Sequence, residues 1–186
     1  MAEFQLIAPV VQIVDEDQIS PELDAAIRRL LCECFPPDVE AFSARRAWNG
    51  VCPAFSVLGR HDDKVVGQVG IIQRRVSSGG VPVRVAGIQS LAVAPDWRRS
   101  GLSQRLMTTA MDEAARRDIR FGLLFCVPEL EAFYAQLGWR RTDRAVTMRD
   151  AAGLSVPLTA KNISMELALA GDRLPPGPID LEGRDW

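Results

Sequence analysis

The sequence has few of the residues from which metal and nucleophilic sites are usually built. Histidine occurs once among 186 residues, as His61 in the turn-like segment GRHDDK. One histidine excludes a histidine-based zinc cluster and weakens the case for a Ser-His or Cys-His nucleophile. The four cysteines show no CxxC spacing, so we predict buried free thiols and no metal site at Cys32, Cys34, Cys52 and Cys126.

A strong charge imbalance and long hydrophobic runs are also missing. The formal net charge is −2, so the chain lacks the basic excess typical of nucleic-acid-binding proteins. The longest apolar runs, such as FGLLFCV, are too short to cross a membrane. The first residues carry no positively charged segment of the kind that begins a signal peptide. We therefore predict a cytoplasmic protein with no nucleic-acid or membrane partner.

The composition that is present is typical of one globular domain, taken here as residues 1–186. Hydrophobic residues make up 47% of the chain and charged residues 25%. A strand is predicted over 10–15. A helix begins at Pro21 after Ser20, its predicted N-cap. A second, short helix is predicted to end near Asn49–Gly50.

The rest of the chain continues with strands before and after two further helices. Three strands joined by hairpins are predicted from AFSVLG, KVVGQVGIIQRRV and VPVRVAGIQSLAV. A helix over 101–117, the buried strand IRFGLLFCV, the helix ELEAFYAQLG and the strands AVTMRD and NISMELAL follow. This order indicates an α+β fold with helices on both faces of one sheet. The tail 171–186 is predicted to be irregular but packed on the domain through Leu174, Ile179, Leu181 and Trp186.

One segment joins a strand end to a helix start with residues suited to an anion. After the strand end LAV, the motif R-x-x-G-x-S runs from Arg98 to Ser103 into the predicted helix. The first turn of a helix has unpaired N–H groups and the positive end of the helix dipole, so it is a natural anion site. Neither the G-x-x-x-x-G-K-[ST] nor the G-x-G-x-x-G phosphate-binding motif occurs there.

Two motifs together resemble those of the GCN5-related N-acetyltransferase (GNAT) superfamily. The first is R-x-x-G-x-S, which is similar to the signature Q/R-x-x-G-x-G/A of that family. The second is FYAQLGW, which comes later, on the helix after the next strand. The resemblance implies a central, mixed, mostly antiparallel sheet that splays apart between its fourth and fifth strands. It also implies an acyl-CoA-dependent N-acetyltransferase with acetyl-CoA as cosubstrate and no metal.

The resemblance implies that the anion is the pyrophosphate of coenzyme A. Backbone N–H groups from Arg99 to Ser103 would hold it, and Gly101 would let the backbone approach closely. Ser103 stands where the family signature ends in Gly or Ala, and it is small enough to fit. The pantetheine arm would pair like an added strand with the end of the fourth strand. The cofactor-binding residues implied are Leu91, Ala92, Val93, Arg98, Arg99, Ser100, Gly101, Leu102 and Ser103.

The resemblance also implies roles for residues in the chemistry. A backbone N–H at Ala92 or its neighbour would stabilise the oxyanion of the attacked thioester. Tyr134, the sole tyrosine, would protonate the departing thiolate. Cys126 offers an alternative route through an acyl-cysteine, although the superfamily mostly transfers the acyl group directly. Gln89 lies where family members often place a glutamate, and an amide accepts no proton, so the general base stays open.

The acceptor suggested by the resemblance is an amino sugar. The stretch from VVGQVG to SQRLM and the ending GRDW resemble the aminoglycoside 2′-N-acetyltransferases, and RRAWNG resembles the nodulation-type N-acyltransferases. A polycationic acceptor suits the acids of the tail. The predicted acceptor-side residues, including candidates for the base, are Gln89, Glu40, Asp185 and Trp186 with its terminal carboxylate.

The prediction is therefore an N-acetyltransferase acting on a small-molecule amine, with an aminoglycoside as the first candidate. Three alternatives stay open at this point: another small amine, an amino sugar that takes a longer acyl chain, and a non-catalytic sensor that binds acyl-CoA. A homodimer is compatible with the sequence.

Overall fold

The computed structural model describes residues 8–158 and 162–186, and within them ten strands form one sheet that is flanked by four α-helices. The remainder of the predicted domain, residues 1–7 and 159–161, lies outside this description. The strands are β1 Val10–Asp15, β2 Phe55–His61, β3 Lys64–Ser78, β4 Val81–Val93, β5 Phe121–Cys126, β6 Arg140–Thr142, β7 Val146–Arg149, β8 Ser155–Pro157, β9 Ile163–Ala168 and β10 Ile179–Asp180. The helices are α1 Pro21–Cys34, α2 Val39–Ala44, α3 Leu102–Arg116 and α4 Glu131–Gln136.

The sheet is mixed and mostly antiparallel, as predicted. Its main order is β6-β9-β5-β4-β3-β10-β7-β8, and β2 pairs with both β3 and β1. Two of the described pairings are parallel, β4 with β5 and β10 with β7. A parallel pair needs a crossover connection, and α3 supplies it between β4 and β5.

The fourth and fifth strands splay apart, which confirms the predicted fold. Only Val85–Gly87 of β4 pairs with β5, opposite Phe121–Leu123, although β4 continues to Val93. The free part of β4 carries a β-bulge, where the register against β3 shifts between Gln68 and Gly70. Ser90, in this bulge, has a φ of 50°, and a bulge bends the strand and disrupts its ladder.

The helices pack on both faces of the sheet because neighbouring strand residues point to opposite sides. Val57 belongs to the core cluster under α3, whereas the next residue, Leu58, belongs to the cluster under α1. The helix α1 begins as predicted, with Pro21 at its first position and the Ser20 hydroxyl accepting a hydrogen bond from the Leu23 amide at 3.2 Å. No helix in the described ranges is long and apolar enough to span a bilayer.

The tail returns to the sheet and packs against it. Leu174, Ile179, Leu181 and Trp186 are all buried. Two guanidinium nitrogens of Arg144 donate to the carbonyls of Pro175 and Leu174, at 2.8 and 3.1 Å. The tail is not irregular throughout, because its Ile179–Asp180 segment forms β10 between β3 and β7.

Two predictions about local structure are wrong. The second helix ends at Ala44 instead of near Asn49–Gly50, because Arg45 adopts an extended conformation with φ −156° and ψ 151°. A separate 3₁₀ turn, Trp48–Gly50, follows it. The four cysteines are free, but Cys52 is exposed, so not all of them are buried as predicted.

Candidate active site

The start of α3 is an open helix N-terminus. Arg99 and Gly101 have φ values of 63° and 80°, in the left-handed region, so the chain turns sharply into the helix. Gly101 is the N-cap residue, and no side chain caps the helix. The first intrahelical hydrogen bond runs from the Arg105 amide to the Gly101 carbonyl at 3.1 Å. The preceding amides of the first turn are thus available to an anion.

A second feature of this N-terminus is the space around its backbone. A Cβ placed on Gly101 would meet no atom within 4 Å, whereas the Leu102 side chain lies in the core. The Ser100 hydroxyl donates to the Trp97 carbonyl at 2.6 Å, so its oxygen helps to hold the turn. The backbone is the part of this segment that faces outward.

A cleft of about 280 Å³ opens next to this turn, along the free end of β4. It joins three parts of the fold: the open helix N-terminus, the bulged end of β4 and the helix α4. The residues that line it are Cys34, Phe35, Leu91, Ala92, Val93, Trp97, Arg98, Arg99, Ser103, Leu130, Phe133 and Tyr134. The structure thus brings together seven of the residues predicted from the sequence as cofactor-binding or catalytic.

The end of β4 is held by two side chains that meet at one carbonyl. The Arg98 guanidinium donates to the Val93 carbonyl at 3.3 Å, and the Cys34 thiol donates to the same oxygen at 3.4 Å. Burial raises the pKa of the Cys34 thiol. These contacts position the strand end. Arg98 and Arg99 are both exposed and both line the cleft.

Tyr134 lies at the inner wall of the cleft, 6% exposed, with its ring centroid 5.0 Å from that of Phe133 and 6.3 Å from that of Trp139. Burial, with a smaller contribution from Cys126, raises the pKa of its phenol far above the usual range. The phenol therefore stays protonated at neutral pH and can donate a proton.

Cys126 is a poor nucleophile in this setting. Burial, followed by the nearby Glu131 carboxylate, raises the pKa of its thiol to about 11. The thiolate is the reactive form of cysteine, and little of it exists near neutral pH at such a pKa. Cys126 also does not line the cleft, so burial and position both favour direct acyl transfer over an acyl-cysteine.

The acceptor-side residues are more widely distributed. Gln89 is 2% exposed, and its amide nitrogen donates to the Val51 carbonyl at 3.1 Å. Glu40 lines a second pocket of about 570 Å³ and not the cleft of Tyr134. Asp185 accepts a hydrogen bond from the Asn49 side chain at 2.7 Å. Trp186 lies against the sheet at Gly87.

The charges near the tail are largely balanced. The Asp180 carboxylate pairs with Arg149 at 3.0 Å. The ring of Phe35, which lines the cleft, lies 5.5 Å from that of Phe42, which lines the second pocket, measured between centroids. The lining of the second pocket contains two acids and two arginines. Its charged residues are Asp38, Glu40, Arg45 and Arg184.

Comparison with known proteins decides the family. A family model described as an acetyltransferase (GNAT) domain matches residues 19–142, which include the β4–α3 turn and Tyr134. The chain belongs to the GNAT acetyltransferase family. The family of this GNAT domain is therefore the one that the motifs R-x-x-G-x-S and FYAQLGW predicted.

Two relatives and one solved structure show how this GNAT domain compares. Nodulation protein A of Bradyrhizobium elkanii is 31% identical over 106 residues, 56% of this chain and 49% of that protein, so the match spans about half of that relative. An aminoglycoside 2′-N-acetyltransferase of Mycolicibacterium fortuitum is 23% identical over 144 residues, 77% of this chain and 71% of that protein. A GNAT family N-acetyltransferase (YhbS) of Escherichia coli, solved in complex with CoA, shares the fold with a TM-score of 0.68 and 15% identity, covering 97% of this chain and 93% of that one.

Several residues that line the cleft were not predicted from the sequence. Phe35 and Trp97 come from segments before and after β4, and Leu130 and Phe133 come from the start of α4. Phe133 had a signal, since it precedes Tyr134 in the FYAQLGW motif. No sequence signal marked the bulge at Ser90, because a serine followed by a leucine is ordinary in a strand.

Proposed function

We propose that this GNAT domain transfers an acetyl group from acetyl-CoA to the primary amine of a small molecule. The observation that carries the proposal is the single cleft that joins an uncapped helix N-terminus, the bulged end of β4 and the buried phenol of Tyr134. An uncapped N-terminus suits a pyrophosphate, and a free strand end suits the amide-rich pantetheine arm.

The proposed cofactor geometry follows the order of these parts. The amides from Arg99 to Ser103 bind the pyrophosphate, and Leu91–Val93 pair with the pantetheine arm. This places the thioester at the inner end of the cleft, next to Tyr134. The family relationship and the solved complex of the Escherichia coli relative with CoA support acetyl-CoA as the cosubstrate.

The residues of the cleft then support a direct transfer of the acetyl group to the amine. The amine attacks the thioester carbonyl while a backbone N–H at the bulged end of β4 stabilises the oxyanion. The register against β3 turns the Ala92 amide toward Gln68, so its neighbour at the bulge, Leu91, is the better donor. Tyr134 donates its proton to the sulfur as the carbon–sulfur bond breaks, which gives an amide and a free thiol. The amine loses a proton to solvent, from which the phenol is reprotonated. No Asp or Glu is found among the described residues that line the cleft, so a solvent route fits better than a neighbouring carboxylate.

An aminoglycoside is the first candidate for the acceptor. The similarity to the aminoglycoside 2′-N-acetyltransferase supports it. Glu40 lines the second pocket together with Asn49, whose side chain donates to the Asp185 carboxylate at 2.7 Å, so this tail acid is linked to the pocket. The balanced charges of that pocket argue for an acceptor that carries hydroxyls as well as ammonium groups. The similarity to nodulation protein A keeps a second candidate, an amino sugar that takes an acyl chain.

A thiol-release assay tests the proposal. Purified protein is supplied with acetyl-CoA and, in separate reactions, with aminoglycosides bearing a 2′-amine, a simple amino sugar, or a polyamine. We expect amine-dependent thiol release, fastest with the aminoglycosides. Release with another amine alone would overturn the aminoglycoside as acceptor and keep the transferase.

The same assay separates an enzyme from a sensor. If acetyl-CoA binds by calorimetry but no amine promotes thiol release, the protein is a non-catalytic acyl-CoA-binding domain. The observation that favours this second candidate is that no carboxylate lines the cleft within the part of the chain that the structure describes. If acetyl-CoA does not bind at all, the assignment of the cleft as the cofactor site is wrong.

A further inference from the structure

The Trp48–Gly50 turn forms part of the wall of the second pocket, since all three of its residues line that pocket. The Trp48 ring lies 5.4 Å from that of Phe42, and the Phe42 ring lies 5.5 Å from that of Phe35, measured between centroids. Phe35 lines the cleft, whereas Phe42 lines the second pocket. A continuous row of packed rings therefore runs from the turn to the wall of the cleft.

The tail contacts this turn at Asn49. The side-chain amide of Asn49 donates a hydrogen bond to the Asp185 carboxylate at 2.7 Å. Its backbone carbonyl accepts another from the Arg184 guanidinium at 3.4 Å. Two consecutive residues of the tail thus hold one residue of the turn, through both its side chain and its backbone.

The loop that contains this turn is held from several elements. Before the turn, the Arg46 guanidinium pairs with the Asp24 carboxylate of α1 at 3.1 Å. After it, the Val51 carbonyl accepts a hydrogen bond from the Gln89 amide of β4 at 3.1 Å. Between them, Asn49 has a φ of 48°, in the left-handed region that few residues other than glycine, asparagine and aspartate adopt readily. The tail supplies the anchor at this least favourable point of the backbone.

The Asp185 carboxylate is engaged by groups of the protein itself. It accepts the hydrogen bond from Asn49, and the Arg74 guanidinium lies close enough for an attractive charge interaction. Among the described residues, Asn49 and Arg184 line the second pocket and Asp185 does not. A ligand in this pocket would therefore meet Asn49 and not the carboxylate behind it.

We propose that Asp185 is a positioning residue, which acts through Asn49 to hold the Trp48–Gly50 turn as a wall of the acceptor pocket and does not itself bind an ammonium group. This inference rests on the proposed function, because it takes the second pocket as the site of the acceptor. It follows that the hydrogen bond between the two side chains is required for acceptor binding, whereas the negative charge of Asp185 is dispensable.

An exchange of the two side chains separates the hydrogen bond from the charge. Asp185→Asn removes the charge and keeps an oxygen that can accept from Asn49. Asn49→Asp tolerates the left-handed φ but places two carboxylates against each other. The double variant restores the hydrogen bond in the opposite direction. Calorimetry with an aminoglycoside that bears a 2′-amine, at saturating CoA, measures acceptor affinity without turnover.

The three variants should differ in a set order. We expect the dissociation constant of the aminoglycoside to rise at least about tenfold in Asn49→Asp and to stay within about threefold of the parent in Asp185→Asn and in the double variant. The KM for the amine should change in parallel, with kcat and the affinity for acetyl-CoA kept. Glu182→Gln, which removes the same charge from an exposed position of the tail, is the matched control and should bind like the parent.

Direct binding of an ammonium group by Asp185 predicts the opposite order. Asp185→Asn would then weaken a polycationic ligand, and Asn49→Asp would add an acid to the pocket and strengthen it. Either result overturns the inference. If thermal unfolding shows that Asn49→Asp does not fold, Asp185→Ala takes its place, because it removes the acceptor as well as the charge and should bind at least about tenfold more weakly than Asp185→Asn.

Failure of the inference can be distinguished from failure of the proposed function. If another amine replaces the aminoglycoside as acceptor, the same variants are compared with that amine, and the same order is expected. A parent that binds acetyl-CoA but no amine has no acceptor pocket to position, which overturns the inference and leaves the cofactor site intact. A parent that does not bind acetyl-CoA overturns the proposed function itself.

Discussion

Two ionisable side chains of one core cluster, Tyr134 and Cys126, have their pKa values raised by the same cause. Burial raises the pKa of both groups, so each holds its proton at neutral pH. A thiol that must attack loses its reactive form through this shift, whereas a phenol keeps the proton that it is proposed to donate. Burial is therefore compatible with Tyr134 as the proposed acid and argues against Cys126 as a nucleophile.

The proposed role of Tyr134 predicts a loss of turnover on Tyr134→Phe. The change removes the phenolic proton and keeps the ring that packs against Phe133 and Trp139. We expect kcat to fall by about 100-fold or more, with little change in the dissociation constant of acetyl-CoA. Because the pKa of the phenol is raised, the kcat of the parent should also show no loss up to about pH 10, where an ordinary tyrosine ionises.

Steady-state kinetics and calorimetry on both proteins check this. A kcat of Tyr134→Phe within about threefold of the parent would leave Tyr134 as a packing residue only, since general acid catalysis contributes more than that.

The pKa of Cys126 predicts slow alkylation. With a thiol pKa of about 11 instead of 9.0, the thiolate fraction at pH 8 falls roughly 100-fold. Iodoacetamide labelling followed by peptide mass mapping should therefore modify exposed Cys52 long before Cys126 in the folded protein. Equal labelling rates in the native state would contradict the burial and the shifted pKa.

The raised pKa of Cys126 also makes the free energy of unfolding depend on pH. The unfolded chain releases the Cys126 proton near pH 9, and the folded protein keeps it to about pH 11. The unfolded state thus binds fewer protons within this window, so the free energy of unfolding falls as the pH rises from about 9 to about 11.

At the level of single elements, the two long helices, α1 and α3, differ in whether a side chain caps their first turn. The helix α1 is closed by the Ser20 hydroxyl, which accepts a hydrogen bond from Leu23. The helix α3 has no side-chain cap at Gly101. One N-terminus is capped by a side chain, and the other is the proposed site of the pyrophosphate.

Loss of the α1 cap should affect stability alone. Ser20→Ala removes the acceptor for the Leu23 amide and should lower the free energy of unfolding by about 1 kcal/mol. In a domain of this size this corresponds to a melting temperature lower by about 2 to 4 °C. Urea and thermal unfolding measure it. A weakened affinity for acetyl-CoA in the folded variant would show that α1 influences the cleft.

The open N-terminus of α3 predicts a charge effect at Gly101. Gly101→Asn and Gly101→Asp have the same size, both residues tolerate the left-handed φ of 80°, and both are good N-cap residues. Only the aspartate places a negative charge where the pyrophosphate is proposed to bind. We expect the dissociation constant of acetyl-CoA to be at least about tenfold higher for Gly101→Asp than for Gly101→Asn, with a smaller gap in high salt.

Calorimetry at two salt concentrations, with thermal unfolding as the folding control, decides it. Equal affinities of the two folded variants would place the pyrophosphate elsewhere.

At the scale of the whole molecule, the tail completes the core. Leu181 is fully buried in the cluster that also holds Ile72, Val85 and Leu123 of the central strands. Leu181→Ala should therefore lower the free energy of unfolding by about 2 to 5 kcal/mol. Leu154→Ala is the matched control, because Leu154 is 65% exposed and its loss should change stability by less than about 0.5 kcal/mol.

Urea denaturation of the three proteins provides the measurement. If Leu181→Ala is as stable as Leu154→Ala, Leu181 does not contribute to the core as proposed.

Features that depend on near neighbours along the chain could be predicted from the amino-acid sequence. The Ser20 cap, the start of α1 at Pro21, the hairpins of β2–β4 and the R-x-x-G-x-S turn all appear where predicted. Capping, turn chemistry and hydrophobic periodicity act over a few residues, so they can be recognised without a fold. The three-residue strands β6 and β8 were missed because they are too short to show an alternating pattern.

The grouping of residues into sites could not be predicted from the sequence. It placed Glu40 in a separate pocket from Tyr134, and it paired the tail acid Asp180 with Arg149. It also set Trp186 over Gly87, two residues that nothing in the sequence connects. Such contacts depend on how remote segments pack in three dimensions. Local preferences along the chain contain no record of that packing.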